Sequence, residues 1–428
     1  MQMSSRNAQM LPVMGGMSVP TGAYPASGQA VSAFQPDVAV LVYDLRASGV
    51  VRNALRIARR AAVAGLRCDV VVVHANGDFR PFDHPLLRLV ALMPDASANR
   101  FLGTLAAAAP LRAYLRQRRP RVLFSAGNHI HPLAAMACFR LANAPRLIMR
   151  ASNDISHARR NGWESALARV LAVGARPLLR AMFLMADRIV SVSEELAADL
   201  GQRLSLPKER INVVSNGIDV GRVAHLACEV VNHPWFAPGE PPVIVGIGRL
   251  HRQKNFPLLI RAFAQLRQAQ PARLMILGTG TVEARQELLE LAARLGVADD
   301  VELTGYVENP FAYLRRASLF VLSSSWEGMS NALLEAMACG CPVVATRCPT
   351  GTVEVLDEGR YGPLVEIENA EALAEAMAWR LAQPRQSAQL VARAQEYDLS
   401  RALEAYADLL TEEVRGPDDQ PPSLSAAA

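Results

Sequence analysis

The sequence predicts two doubly wound α/β domains, each built on a parallel sheet, facing each other across one cleft. Three observations carry this. Short β-branched runs alternate with Ala/Leu/Arg-rich stretches of helical periodicity, an order that produces parallel strands with crossover helices. The alternation is interrupted once, by the Pro/Gly-rich segment 233–242 (HPWFAPGEPP), and then restarts. Finally, 428 residues, 51% of them hydrophobic, suffice for two cores of ordinary size.

In chain order, buried strands are expected at residues 38–43, 69–73, 121–125, 146–150, 188–193 and 211–215, and after the break at 242–248, 273–278, 301–306, 319–325 and 342–346. A last helix is expected to begin near Leu399–Ser400, with Ser400 as N-cap and Leu403, Tyr406 and Leu410 on one face. This divides the chain into a disordered leader (1–35), a first domain (36–220), a second domain (221–398), a C-terminal helix (399–414) and a disordered tail (415–428). The leader has a single Arg and no continuous apolar core, which argues against a signal peptide. No run reaches the roughly 20 apolar residues of a membrane span. The nearest, Leu167–Met185, is broken by Arg169, Arg176, Pro177 and Arg180.

Charge is unevenly distributed. Residues 35–220 carry 26 Lys+Arg against 14 Asp+Glu, a net of +12, whereas residues 221–428 carry 18 against 26, a net of −8. A basic half joined to an acidic half points to an anionic partner for the first. Arg52, Arg56 and Arg59, Arg112, Arg116 and Arg119, and Arg169, Arg176 and Arg180 recur at helical spacing, as solvated helix faces or as contacts for an anionic membrane. Nucleic acid is disfavoured, because Tyr43, Phe79 and Phe82 form no stacking pattern. The six cysteines do not form a disulfide framework. Cys339, Cys341 and Cys348 lack a fourth ligand at zinc spacing and read as core residues, so neither a metal nor a cofactor is expected. The compartment is then cytoplasmic.

The informative stretch is residues 323–362. A strand ends at Ser323–Ser325, a loop carries Glu327 and Gly328, and a helix follows to Cys339, with Ser330 or Asn331 at its start and Gly340 ending it. A helix N-terminus offers free N–H groups and a positive dipole end. Gly328 permits close approach to the backbone, and Glu335 shares a face with Asn331 one turn earlier. Two carboxylates, Glu327 and Glu335, can flank a polyhydroxyl ligand as hydrogen-bond acceptors. Arg249 and Lys254, on the loop after the first strand of the second half, suit a diphosphate.

Together these residues resemble the retaining glycosyltransferases of GT-B fold, glycosyltransferase family 4. The resemblance covers about residues 36–412 and is closer over the second domain. The Glu327–Glu335 spacing, the Arg249/Lys254 pair, SNGID (215–219) and GYVEN (305–309) carry it. It implies that Glu335 binds the ribose hydroxyls, that Arg249 and Lys254 neutralise the leaving diphosphate, and that Glu327 with the backbone of Gly328, Met329, Ser330 and Asn331 holds the donor sugar. It further places Val307 near the nucleotide base, Gly49 in the loop after the first strand, and a His facing the sugar. His129 and His131 are both available for that position, and His129 sits nearer the strand end. The implied partners are a nucleotide sugar and a glycan or polyprenyl-diphosphate-linked acceptor, in polysaccharide or lipopolysaccharide biosynthesis, with possible peripheral contact to an anionic membrane. Two rival readings are a nucleotide-sugar 2-epimerase on the same fold and a non-catalytic sugar-nucleotide-binding subunit.

Overall fold

In a computed structural model, residues 34–46, 48–80, 83–93, 100–153 and 176–416 are described. The expectations for the leader, most of the tail, Phe82 and Arg169 lie outside them. Seven parallel strands form the first sheet: β1 (Val38–Val42), β2 (Cys68–His74), β3 (Leu87–Met93), β4 (Val122–Ser125), β5 (Arg146–Ala151), β6 (Arg188–Ser191) and β7 (Ile211–Val213), in the order β3-β2-β1-β4-β5-β6-β7. The second sheet has six: β8 (Val243–Ile247), β9 (Arg273–Leu277), β10 (Val301–Gly305), β11 (Leu319–Leu322), β12 (Val343–Thr346) and β13 (Leu364–Val365), in the order β10-β9-β8-β11-β12-β13. In each sheet the order reverses beside the first strand, which opens a crevice at the carboxyl ends. Both sheets belong to one compact unit that begins at Gln35.

Two strands escape the β-branched pattern. β3 (LRLVALM) is an edge strand with one buried position, and it is anchored by charge rather than by apolar alternation. Arg88 lies opposite Asp69 of β2 and donates to its carboxylate at 3.1 and 3.0 Å, and the Tyr114 hydroxyl donates to the same group at 2.8 Å. β13 has only two residues, too few for periodicity to register.

The terminal helix Leu399–Arg415 returns to the first domain. Tyr406, Leu409 and Leu410 are buried with β1, β2 and β4 residues such as Val40, Val70 and Phe124. Tyr406 meets Phe124 edge-on, with ring centroids 5.9 Å apart. Glu413 pairs with Arg146 and Arg188, and Glu404 pairs with Arg60. The cap is Asp398, whose carboxylate accepts from the backbone N–H of Ser400 and Arg401, so the expected Ser400 cap is corrected by two residues: Ser400 already lies inside the helix. The chain therefore crosses between domains twice, and the two crossings lie side by side. Ile218 N–H donates to Tyr397 O at 2.8 Å and Leu399 N–H to Ile218 O at 3.1 Å. A Cβ on Gly217 would stand 2.4 Å from Leu399 Cα, so only glycine admits this approach.

Candidate active site

The loops at the carboxyl ends of β1, β4 and β5 face those of β8 and β11. Helix Asn331–Ala338 begins at the cleft, capped by Ser330, whose hydroxyl accepts from Leu333 N–H. Helix Gly49–Val63 begins there too, capped by Ser48. The two N-termini converge: a Cβ on Gly49 would be 3.0 Å from Asn331 Nδ2. Their free N–H groups make the space between them attractive to an anion.

Lys254 and Glu327 are joined by packing of the β8 and β11 loops. Lys254 Nζ donates to Glu327 Oε1 at 2.6 Å, and both side chains are largely covered, at 17% and 9% exposure. Ser324 Oγ donates to the same Oε1 at 2.8 Å, and Gln253 Nε2 donates to Oε2 at 3.3 Å and to Trp326 O at 3.0 Å. Thr350 Oγ1 donates to Glu327 O. The aliphatic stem of Lys254 lies against Gly248, where φ is 153° and a Cβ would clash with that stem at 2.7 Å. Arg249 is exposed at the same loop. The carboxylate thus holds the Lys254 ammonium beside the loop after β8, while Arg249 is exposed.

Glu335 is set one turn into its helix and faces the first domain. Arg52 approaches its Oε1 at 3.9 Å, and Arg56 and Lys254 add favourable charge. Burial nevertheless outweighs these cations and raises the Glu335 carboxyl above its ordinary value. Burial likewise lowers Arg56, with Arg52 adding repulsion. Arg52 and Arg56 thus lie toward Glu335 of the second domain, while Arg52 and Arg59 remain exposed. Arg112 is also engaged, donating to the carbonyls of Ala137, Phe139 and Arg140 that end helix His131–Cys138. Arg116 and Arg119 remain exposed.

Gly328 also permits a close approach of the protein's own backbone. Where its Cβ would be, Ser152 O of the first domain stands at 2.2 Å, so the close neighbour is protein. Asn128 fixes that segment by accepting from Ser152 N–H at 2.9 Å and donating to Asn153 O at 2.7 Å. Gly328 O and Met329 O accept from Ser193 Oγ and Asn216 Nδ2, at 3.3 and 3.2 Å. The Met329 side chain is buried in the core, and only its backbone borders the cleft. Val307 is half-buried just beyond β10, at the edge of the second sheet.

The histidines part company. His131 is fully buried, its Nδ1 2.7 Å from Ser125 Oγ, and desolvation lowers its pKa to about 3. His129 is exposed at the end of β4 and meets Tyr43 edge-on at 6.2 Å. Cys339, Cys341 and Cys348 are buried core residues, with burial pushing the latter two thiols up to about 12. Sequence reasoning put Arg52 and Arg56 on one helix face without their partner Glu335, and missed Asn216 and the buried Arg150. Arg150 donates to Tyr406 OH at 2.8 Å and to Asn216 Oδ1 at 2.7 Å, which links the terminal helix to the Met329 carbonyl. The polar Asn216 inside SNGID was the available signal.

Two family models match this chain: Glycosyltransferase Family 4 over residues 47–222 and Glycosyl transferases group 1 over residues 241–383. The chain is 33% identical over 196 residues to the N-acetylgalactosamine-N,N'-diacetylbacillosaminyl-diphospho-undecaprenol 4-alpha-N-acetylgalactosaminyltransferase of Campylobacter jejuni, covering 46% of this chain and 51% of that protein. It is 33% identical over 212 residues to the lipopolysaccharide core biosynthesis glycosyltransferase LpsE of Rhizobium meliloti, covering 49% and 58%. The chain thus spans about half the length of these curated relatives. Anabaena Alr3699/HepE, solved in complex with UDP-glucose, superposes with a TM-score of 0.67 over 87% of this chain and 99% of that one, and at 18% identity it speaks to the fold. With a seven-stranded and a six-stranded parallel sheet facing one cleft, and with both halves matched by glycosyltransferase models, the chain belongs to the glycosyltransferases of GT-B fold.

Proposed function

We propose that the protein transfers a sugar from a nucleoside-diphosphate sugar, with retention of anomeric configuration, to a glycan or lipid-linked acceptor in cell-surface polysaccharide biosynthesis. One observation carries this reading: two helix N-termini, the Lys254–Glu327 pair and Glu335 converge at the carboxyl ends of two facing sheets. Such a place suits a ligand with a negative centre and hydroxyls on either side. Lys254 and Arg249 take the diphosphate. Their positive charge matters most as the glycosidic bond breaks and charge grows on the leaving phosphate. Glu335 accepts from the ribose hydroxyls, Glu327 and the backbone of residues 328–331 border the sugar, and His129 and Gly49 approach from the first domain.

The relatives support the acceptor class, since one is named for a diphospho-undecaprenol substrate and another for lipopolysaccharide core biosynthesis. The structural neighbour in complex with UDP-glucose supports a nucleotide donor. No described helix is long and apolar enough to cross a membrane, and a lipid-linked acceptor then implies work at the membrane surface. The test is a transfer screen over UDP-, GDP- and ADP-sugars with lipid-linked and soluble acceptors, with product configuration read by NMR in the presence of chelator. An α-linked product from an α-configured donor is expected. An inverted product, or activity lost to chelator and restored by manganese, contradicts the reading.

A further inference from the structure

A cavity of about 320 Å³ opens on the side of the second sheet away from the cleft. Pro242, Ser318 and Pro342, which immediately precede β8, β11 and β12, form its wall, so it lies at the amino ends of the strands. Arg380, Arg385 and Gln270 complete it.

Every charged group lining this cavity is positive; no Asp or Glu lines it. Arg380 is only 6% exposed, and among the described residues neither it nor Arg385 pairs with a carboxylate. Their hydrogen bonds go to neutral carbonyls: Arg380 NH1 donates to Pro384 O at 3.2 Å and Arg385 NH2 to Ala317 O at 2.9 Å. Each guanidinium has five N–H donors, so both keep donors beyond these carbonyls. Gln270 Nε2 is buried without a partner. Burial lowers the Arg380 pKa, and the charge of Arg385 adds to that. A covered cation ordinarily has a counter-charge, and Arg380 has none here, while the exposed Arg385 and an orphaned amide donor line the same space.

We propose that this cavity is a second anion site, separate from the cleft, which takes a phosphate group through Arg380, Arg385 and the Gln270 side-chain amide. The ligand is a phosphate dianion or the phosphomonoester of a small metabolite. Both present the same oxygens to a planar guanidinium fork, and the volume admits more than the bare ion. Pro342 of its wall follows shortly after the turn that ends helix Asn331–Ala338, where Ser387 Oγ donates to Gly340 O at 2.8 Å.

The experiment is calorimetric titration of the full-length protein with inorganic phosphate at constant ionic strength, with sodium chloride as control. Arg380→Gln and Arg385→Gln are compared with Lys254→Ala, which removes a cation from the cleft. Arg385 is exposed, so its variant tests the site even where loss of the buried Arg380 harms folding. Phosphate affinity is expected to fall about tenfold or more in Arg385→Gln, the effect of losing a charge-assisted hydrogen bond, and to persist in Lys254→Ala. A sugar 1-phosphate titrated in parallel separates the two sources. Binding at least as tight as phosphate identifies an organic ligand, exclusion identifies the free ion, and either result upholds the anion site. Phosphate affinity unchanged in Arg385→Gln, or heats indistinguishable from chloride, overturns it.

Discussion

Replacing Lys254 by Met separates what the ammonium does for the fold from what it does for the reaction. In the structure it contacts Glu327 at 2.6 Å, with 17% and 9% of the two side chains exposed. Removing one partner of a buried pair typically costs about 3–5 kcal/mol. Here Ser324 and Gln253 still donate to the carboxylate, so about 2–3 kcal/mol is the reasonable magnitude. The loss arises because Glu327 is left charged and poorly compensated, so changing it to Gln should recover much of it. Catalysis should behave oppositely. A preorganised cation on a leaving phosphate is worth about 3–4 kcal/mol in the transition state, a fall in turnover of roughly 100-fold or more. Lys254→Met, Glu327→Gln and the double variant would be compared by urea unfolding and by nucleotide release with a saturating donor. The expected pattern is restored stability in the double variant with turnover still lost. Turnover within about threefold of the parent in a folded Lys254→Met protein would refute the phosphate assignment. Recovered turnover in the double variant would reduce Lys254 to a neutraliser of Glu327.

Three further expectations follow from the same geometry. Burial raises the Glu335 pKa, so its contribution to stability is present below the unfolded value and is lost as pH rises through the folded one. Donor binding needs the carboxylate and runs the other way: nucleotide affinity, measured calorimetrically across pH, should weaken on acidification with a midpoint above 4.5, and Glu335→Gln should remove that inflection while lowering affinity more than turnover. Tyr406→Phe keeps the packing on Phe124 but leaves a buried Arg150 N–H without its acceptor; urea unfolding should show a loss of about 1–3 kcal/mol. If a lipid surface is approached through the first domain, changing the exposed Arg116 and Arg119 together to Gln should reduce co-sedimentation with anionic vesicles at low salt. Equal binding by the variant would leave them as solvated helix faces.

Much of this protein is legible in one dimension. The buried parallel strands are continuous apolar runs, because both faces of such sheets are covered, and VAVLV and CDVVVVH are buried throughout. The helix after Glu327 is legible because Ser330 and Gly340 are local signals acting on their own backbone neighbours. The Lys254 and Glu327 positions are legible as residue types at loop positions, but their salt bridge is not, since it depends on how closely the β8 and β11 loops pack. β3 is held by Arg88 across from Asp69, a pairing visible only once register is known. Amphipathic periodicity shows that Tyr406 and Leu410 face a core. It cannot say which core, because apolar burial is non-directional, and only the side-by-side crossings at Ile218 and Leu399 return that helix to the first sheet. The same limit governs the arginines: helical spacing shows that Arg52 and Arg56 share a face, but tertiary structure turns that face toward Glu335, because an electrostatic partner is chosen by distance in space and not by distance along the chain.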